Sequence, residues 1–193
     1  MKRNPTGVFR RLEALYARMQ QAYDSTVADT GFSCQDCENN CCTSYFQHHT
    51  YVEWTFLFKG LDTLAPDKRE AYMLRAQDYQ RQAQAALLKG ERPSAMCPLN
   101  DDGLCGLYRH RLMICRLHGV PHQLAGRMGQ VTDYPGCFRF PQGTSVTPLD
   151  RTPLYRDLAR LEMDFLGPRL AQLPKVNLTL AEMMVQGPPK ITN

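Results

Sequence analysis

The run Cys34-x-x-Cys37-x-x-x-Cys41-Cys42 packs four thiols into nine residues, and a second set, Cys97, Cys105, Cys115 and Cys137, follows downstream. Two groups of four thiols match the complement of thiolates that completes a zinc site or an iron-sulfur cluster. The competing use of eight cysteines is a disulfide framework, the device of small exported chains that cannot build an adequate core. The first thirty residues carry Lys2, Arg3, Arg10, Arg11 and Arg18 and no apolar run of the kind a secretory signal needs. The expectation is a cytoplasmic chain whose thiols stay reduced and bind metal.

At 193 residues the chain reads as a single domain, 1–193, large enough to bury a core of its own. Its formal charge, 23 − 19 = +4, is too small to argue for nucleic acid as a partner. No apolar stretch approaches the ~20 residues of a membrane helix, so no membrane partner is expected.

Hydrophobic spacing predicts helices at both ends. Phe9, Leu12, Tyr16, Met19 and Tyr23 recur at steps of three and four, giving an N-terminal helix over 8–28, and Gly31 ends the pattern. Thr50-Tyr51-Val52-Glu53 has the form of a capping box, opening a short apolar helix through Trp54, Leu57 and Phe58 that stops near Gly60. Pro66-Asp67 begins a longer helix, with Tyr72, Ala76, Tyr79, Ala83 and Ala86 as a narrow packing stripe, and Lys89-Gly90 ends it. Thr152 as cap and Pro153 in the first turn start a helix along Leu154, Leu158, Leu161 and Phe165. A second capping box, Thr179-Leu180-Ala181-Glu182, adds a last short helix, so the C-terminal helices span 152–187.

Between Pro93 and Pro148 the pattern is irregular, and ligand geometry is expected to organise the backbone. The one local signal is Asn100-Asp101-Asp102-Gly103, a hairpin turn that brings Cys97 and Cys105 near one another. The expected fold is mainly α: helices packed around an irregular, loop-rich cysteine and metal core over 31–140.

In Cys34-x-x-Cys37 the two-residue gap lets both sulfurs face one ion. Cys41 and Cys42 are harder to place, because neighbouring side chains diverge in extended backbone; they serve different centres, or one stands behind the ligands. The spacing matches neither the bacterial nor the plant ferredoxin run, and thiolate ligands alone do not separate zinc from iron.

The combination C-x-x-C-x-x-x-C-C, then Cys97-Pro98-Leu99, then Cys105-Gly106-Leu107-Tyr108-Arg109-His110-Arg111 running into Cys115-Arg116, and finally Gly136-Cys137, resembles the CxxCxxxCC cysteine-cluster family, described as zinc- or iron-chelating. The likeness covers about residues 31 to 140. It implies Cys34, Cys37, Cys41, Cys42, Cys97, Cys105, Cys115 and Cys137 as ligands, a 4Fe-4S cluster as cofactor with zinc as the alternative, and an electron-transfer or oxidoreductase role with a protein redox partner. Leu112 departs from the family, which usually has proline there.

From Gly103 to Thr132 there are four arginines, Arg109, Arg111, Arg116 and Arg127, and no acidic residue. Positive charge suits anionic sulfur, and Arg111 and Arg116 are the candidates to support a cofactor; solvated arginines or an open anion pocket are the other readings. The histidines, His48, His49, His110, His118 and His122, are not needed as ligands, and His118, three residues after Cys115, is the best placed. No nucleotide-binding glycine motif, serine-hydrolase signature or H-E-x-x-H is present, so no separate catalytic machinery can be assigned. The competing function is a non-catalytic zinc protein with a structural or interaction role.

Overall fold

The computed structural model describes residues 5–33, 37, 41–126, 128–141 and 143–191. In chain order the elements are α1 (Pro5–Val27), α2 (Tyr51–Leu61), α3 (Pro66–Leu88), β1 (Asn100–Asp101), β2 (Leu104–Cys105), α4 (Met113–Leu117), β3 (His122–Ala125), β4 (Val131–Tyr134), β5 (Leu149–Asp150), α5 (Thr152–Leu166) and α6 (Leu180–Gln186). The protein is mainly α, with short strands confined to the middle of the chain. No helix is long and apolar enough to cross a membrane among the described residues.

These elements sort into two compact units, each built from two separated stretches of chain: Met1–Gln35 with Met113–Gly167, and Asp36–Leu112 with Pro168–Asn193. In the first unit, α1 buries Val8, Leu12, Leu15, Tyr16 and Met19, and α5 buries Leu154, Leu158, Leu161 and Leu166. Apolar residues at these spacings give each helix one face to remove from water, and the two helices pack on one another. Arg11–Asp164 at 2.7 Å and Arg18–Asp157 at 2.8 Å line the exposed margin of the pair. Such exposed pairs contribute at most about 1 kcal/mol, so the apolar seam holds the helices together.

The same unit holds a three-stranded sheet in the order β4-β3-β5, with β3 antiparallel to β4 and parallel to β5. These strands lie in the stretch expected to be irregular. β4 is exposed throughout, so it carries no inward-outward alternation for the sequence to display. Thr152 is also not the helix cap it was expected to be. It occupies the first turn of α5, its hydroxyl accepts from the Ala125 amide at 2.9 Å, and its own amide donates to Asp150 Oδ1 at 2.8 Å. Asp150 thus takes the capping load and Thr152 stitches α5 to β3.

In the second unit, α2 buries nearly every side chain, and Trp54 Nε1 donates to the carbonyls of Met183 (3.2 Å) and Gly187 (3.0 Å) at the end of α6. The Thr50–Glu53 box does not form as expected: the threonine hydroxyl donates to the Glu53 carboxylate at 2.9 Å rather than accepting from a backbone amide, which gives the buried acid a partner. The Thr179–Glu182 box forms both of its bonds. α3 packs on α6 and buries Tyr72, Ala76, Tyr79 and Ala83, the stripe read from the sequence.

Candidate metal centre

In the second unit a hairpin organises the cysteines. Asp102 (φ 50°) and Gly103 (φ 89°) both take the left-handed conformation, the requirement of a two-residue turn whose twist matches its strands. Asn100 then faces Cys105 across the ladder. The Asn100 amide donates to the Cys97 carbonyl at 3.0 Å, and the Cys97 amide donates to the Cys42 carbonyl at 2.8 Å. Three separate stretches, carrying Cys42, Cys97 and Cys105, are therefore tied together through backbone around one asparagine.

The Asn100 side chain has a fixed orientation. Oδ1 accepts from the Gly103 amide at 3.0 Å, which identifies the oxygen and leaves Nδ2 buried with no hydrogen-bond partner. The donor's effect falls on sulfur: the Asn100 side chain helps stabilise the Cys42 thiolate. The Cys42 thiol is drawn down to about 6, first by a hydrogen bond from Cys41, against the opposing effect of burial, and further by Asn100 and by the positive charge of Arg111.

Cys41 and Cys42 open a single 3-10 turn, Cys41–Thr43. The premise that they diverge rested on extended backbone; in this turn the two thiols come within hydrogen-bonding reach.

The outer face of the hairpin is clamped. Asp101 accepts from the Tyr72 hydroxyl and pairs with Lys68 Nζ at 2.7 Å and Arg75 Nη1 at 2.8 Å. Arg75 Nη1 also donates to the Asn100 carbonyl at 2.9 Å. Lys68 first, then Tyr72 and Arg75, hold the Asp101 carboxyl well below its ordinary range. A Cβ at Gly106 would collide with the Tyr72 hydroxyl and come within 2.9 Å of Asp101 Oδ2, so only glycine fits beneath this clamp. Two turns along α3, Tyr79 lies near Cys97; its hydroxyl is pushed up to about 12 by burial first and by the neighbouring thiol second.

Of the eight cysteines, Cys34 lies outside the described residues, as does Arg127. Cys37, Cys41, Cys42, Cys97 and Cys105 belong to the second unit, and Cys115 and Cys137 to the first. All seven described cysteines are half-buried, and none is in a disulfide. Among the described residues, no three His, Cys, Asp or Glu side chains gather into a group able to hold a metal ion. The cysteines are soft sulfur donors, and backbone bonds bring Cys42 to Cys97 with Cys105 opposite Asn100, but no group able to hold a metal ion is assembled among the described side chains.

The two candidate arginines part company. Arg111 acts on Cys42 and lies 3.8 Å from the Tyr108 ring centroid, whereas Arg116, in the first unit, covers the Tyr16 ring at 4.0 Å. Arg111, just before Leu112, has φ −58° and ψ 137°, an extended conformation of the kind residues take before proline. His48 is buried, His49 Nδ1 lies 3.3 Å from the Val176 carbonyl, and His110 packs on Phe56 with ring centroids 4.6 Å apart. Sequence reasoning missed Asn100 as a sulfur-facing donor and Tyr72 as the hairpin's anchor. The Asn-x-x-Gly turn signal was present for the first; nothing in a regular packing stripe marks the second. Compared with family models, curated proteins and solved structures, the chain gives no match.

Proposed function

We propose that this protein holds a metal centre on cysteine thiolates, an iron-sulfur cluster ahead of zinc, and that its role is electron transfer with a protein partner. The observation that carries the reading is the backbone tie from Cys42 to Cys97 to Asn100, with Cys105 facing Asn100 across the hairpin. Cys41, Cys42, Cys97 and Cys105 are the residues that would hold the centre, with Cys37 in the same unit. Soft thiolates suit both iron-sulfur clusters and zinc, and a bound cluster would supply one-electron chemistry. Around it, Asn100 Nδ2 and Arg111 supply donor and positive charge to offset anionic sulfur, a support that tunes thiolate centres.

Anaerobic purification followed by elemental analysis and a visible spectrum tests the proposal. Stoichiometric iron and sulfide with a spectrum that bleaches reversibly on reduction is the expected result. A colourless protein with stoichiometric zinc would replace electron transfer with a structural role, and a metal-free protein would remove the metal centre altogether.

A further inference from the structure

In the first unit, Arg151 is buried at 8% exposure. Its Nη2 donates to the carbonyl of Leu117, the last residue of α4, and its backbone amide donates to the Gln123 carbonyl at 3.0 Å. Its Nε is buried with no hydrogen-bond partner, and no carboxylate pairs with it among the described residues. A guanidinium taken out of water costs several kcal/mol unless an anion or a full set of acceptors compensates it. Near Arg151 lie His118 and His122, whose pKa values are lowered by burial first, together with Tyr134 and Tyr155, the last of these hydrogen-bonded to the guanidinium.

The sheet explains why neither of its own acids, Asp133 and Asp150, pairs with Arg151. The register places His122 opposite Tyr134 and Leu149, and Gln123 opposite Asp133 and Asp150. Successive side chains alternate faces, so Asp133 and Asp150 lie on the face away from His122 and Tyr134. Asp150 is moreover engaged with the Thr152 amide. On the other face the His122 ring stacks on Tyr134, with centroids 4.6 Å apart and planes 8° from parallel. Tyr134 is 42% exposed, so the outer end of this stack reaches solvent.

We infer that Arg151, with His118, His122, Tyr134 and Tyr155 around it, forms a binding site for a small carboxylate. A carboxylate brings one negative charge to one uncompensated cation and accepts from a planar guanidinium edge. At pH 7.5 inorganic phosphate is mostly a dianion and would bring two charges to the one fixed cation, Arg151. His122 adds a proton linkage. Its Nδ1 lies 3.1 Å from the Val120 carbonyl, which only accepts, so Nδ1 carries hydrogen and Nε2 of the neutral ring is a lone pair. Burial, the largest effect, lowers the His122 pKa; the Val120 bond opposes it, and the Arg151 charge lowers it further. An anion that neutralises Arg151 removes that part of the restraint while burial remains, so anion binding favours the protonated ring, which becomes a donor toward it.

The test is NMR of the full-length protein labelled at its histidines, titrated with acetate, inorganic phosphate or chloride at constant ionic strength, at pH 6 and pH 7.5. Acetate should move the His122 ring signals saturably, with a half-saturation roughly 3- to 10-fold lower at pH 6, as one added proton implies. Arg151→Met should abolish the response. Because that change also strips the donor from the Leu117 carbonyl, Tyr155→Phe and His122→Asn provide variants that keep Arg151, and each should weaken acetate binding several-fold. Phosphate binding more tightly than acetate at pH 7.5 would overturn the carboxylate assignment. Ring signals that respond equally to chloride, or to none of the three, would overturn the site.

Discussion

The backbone amide of Cys97 donates to the carbonyl of Cys42 at 2.8 Å, joining the two cysteine groups that the sequence sets far apart. From there the Cys97 carbonyl accepts from the Asn100 amide, and Cys105 lies opposite Asn100 in the hairpin register. The thiols are therefore positioned by main chain, which a single side-chain replacement leaves largely intact.

Asn100→Asp separates the two jobs of this side chain. An oxygen remains to accept from the Gly103 amide, so the turn should survive, but the donor facing Cys42 becomes an acceptor. We expect unchanged folding and metal affinity lowered by about 10–100-fold, the usual cost of losing such support. Chelator competition with wild type alongside checks it; equal affinities would show that Asn100 serves the turn alone.

Arg111 and Arg116 should give different phenotypes. Arg111→Leu removes positive charge from beside Cys42 and should loosen the metal or shift its spectrum. Arg116→Leu removes a cation from the Tyr16 ring and should lower stability by about 0.5–1 kcal/mol with the metal signal unchanged. Metal content and urea unfolding of both variants decide this, and a shared loss of metal would refute the distinction.

Gly106→Ala forces the added methyl against the Tyr72 hydroxyl, which is fixed by Asp101. Overpacking of this kind costs roughly 1–3 kcal/mol. Urea unfolding should record that loss, and pairing the change with Tyr72→Phe should restore part of it by removing the clashing oxygen. A Gly106→Ala variant as stable as wild type would contradict the close fit.

These sites also mark the limit of what the sequence discloses. The helices along Leu12 and Met19, Tyr72 and Tyr79, and Leu154 and Leu158 are legible because burial imposes a spacing on apolar residues. The turn at Asp102-Gly103 is legible because few residues accept positive φ. β4 is not, since all four residues face solvent and nothing selects their polarity. The two-unit division is hidden because each unit joins distant stretches, and the meeting of Cys42 with Cys97 is hidden for the same reason. Arg151 reads as one more arginine until three dimensions show that no carboxylate among the described residues pairs with it.

His48 predicts an acid sensitivity. Its ring is buried, and burial followed by the neighbouring His49 lowers its pKa from 6.5 to about 3. The unfolded chain therefore binds a proton that the folded chain refuses, so stability is full above pH 6.5 and falls as pH drops toward 3. By pH 5 the loss from this one group is about 2 kcal/mol. Urea midpoints of wild type and His48→Leu between pH 7.5 and 4.5 isolate the contribution as the difference in slope. Parallel curves would mean that His48 does not titrate as its burial requires.

X-ray absorption at the metal edge of the anaerobically isolated protein tests the central proposal most directly, because it reads the atoms around the metal. The proposal predicts stoichiometric iron or zinc with sulfur in its first shell at about 2.3 Å, and loss of sulfur scattering in the Cys42→Ser variant. A first shell of nitrogen and oxygen, or a folded protein that binds no metal while its thiols remain reduced, would contradict it.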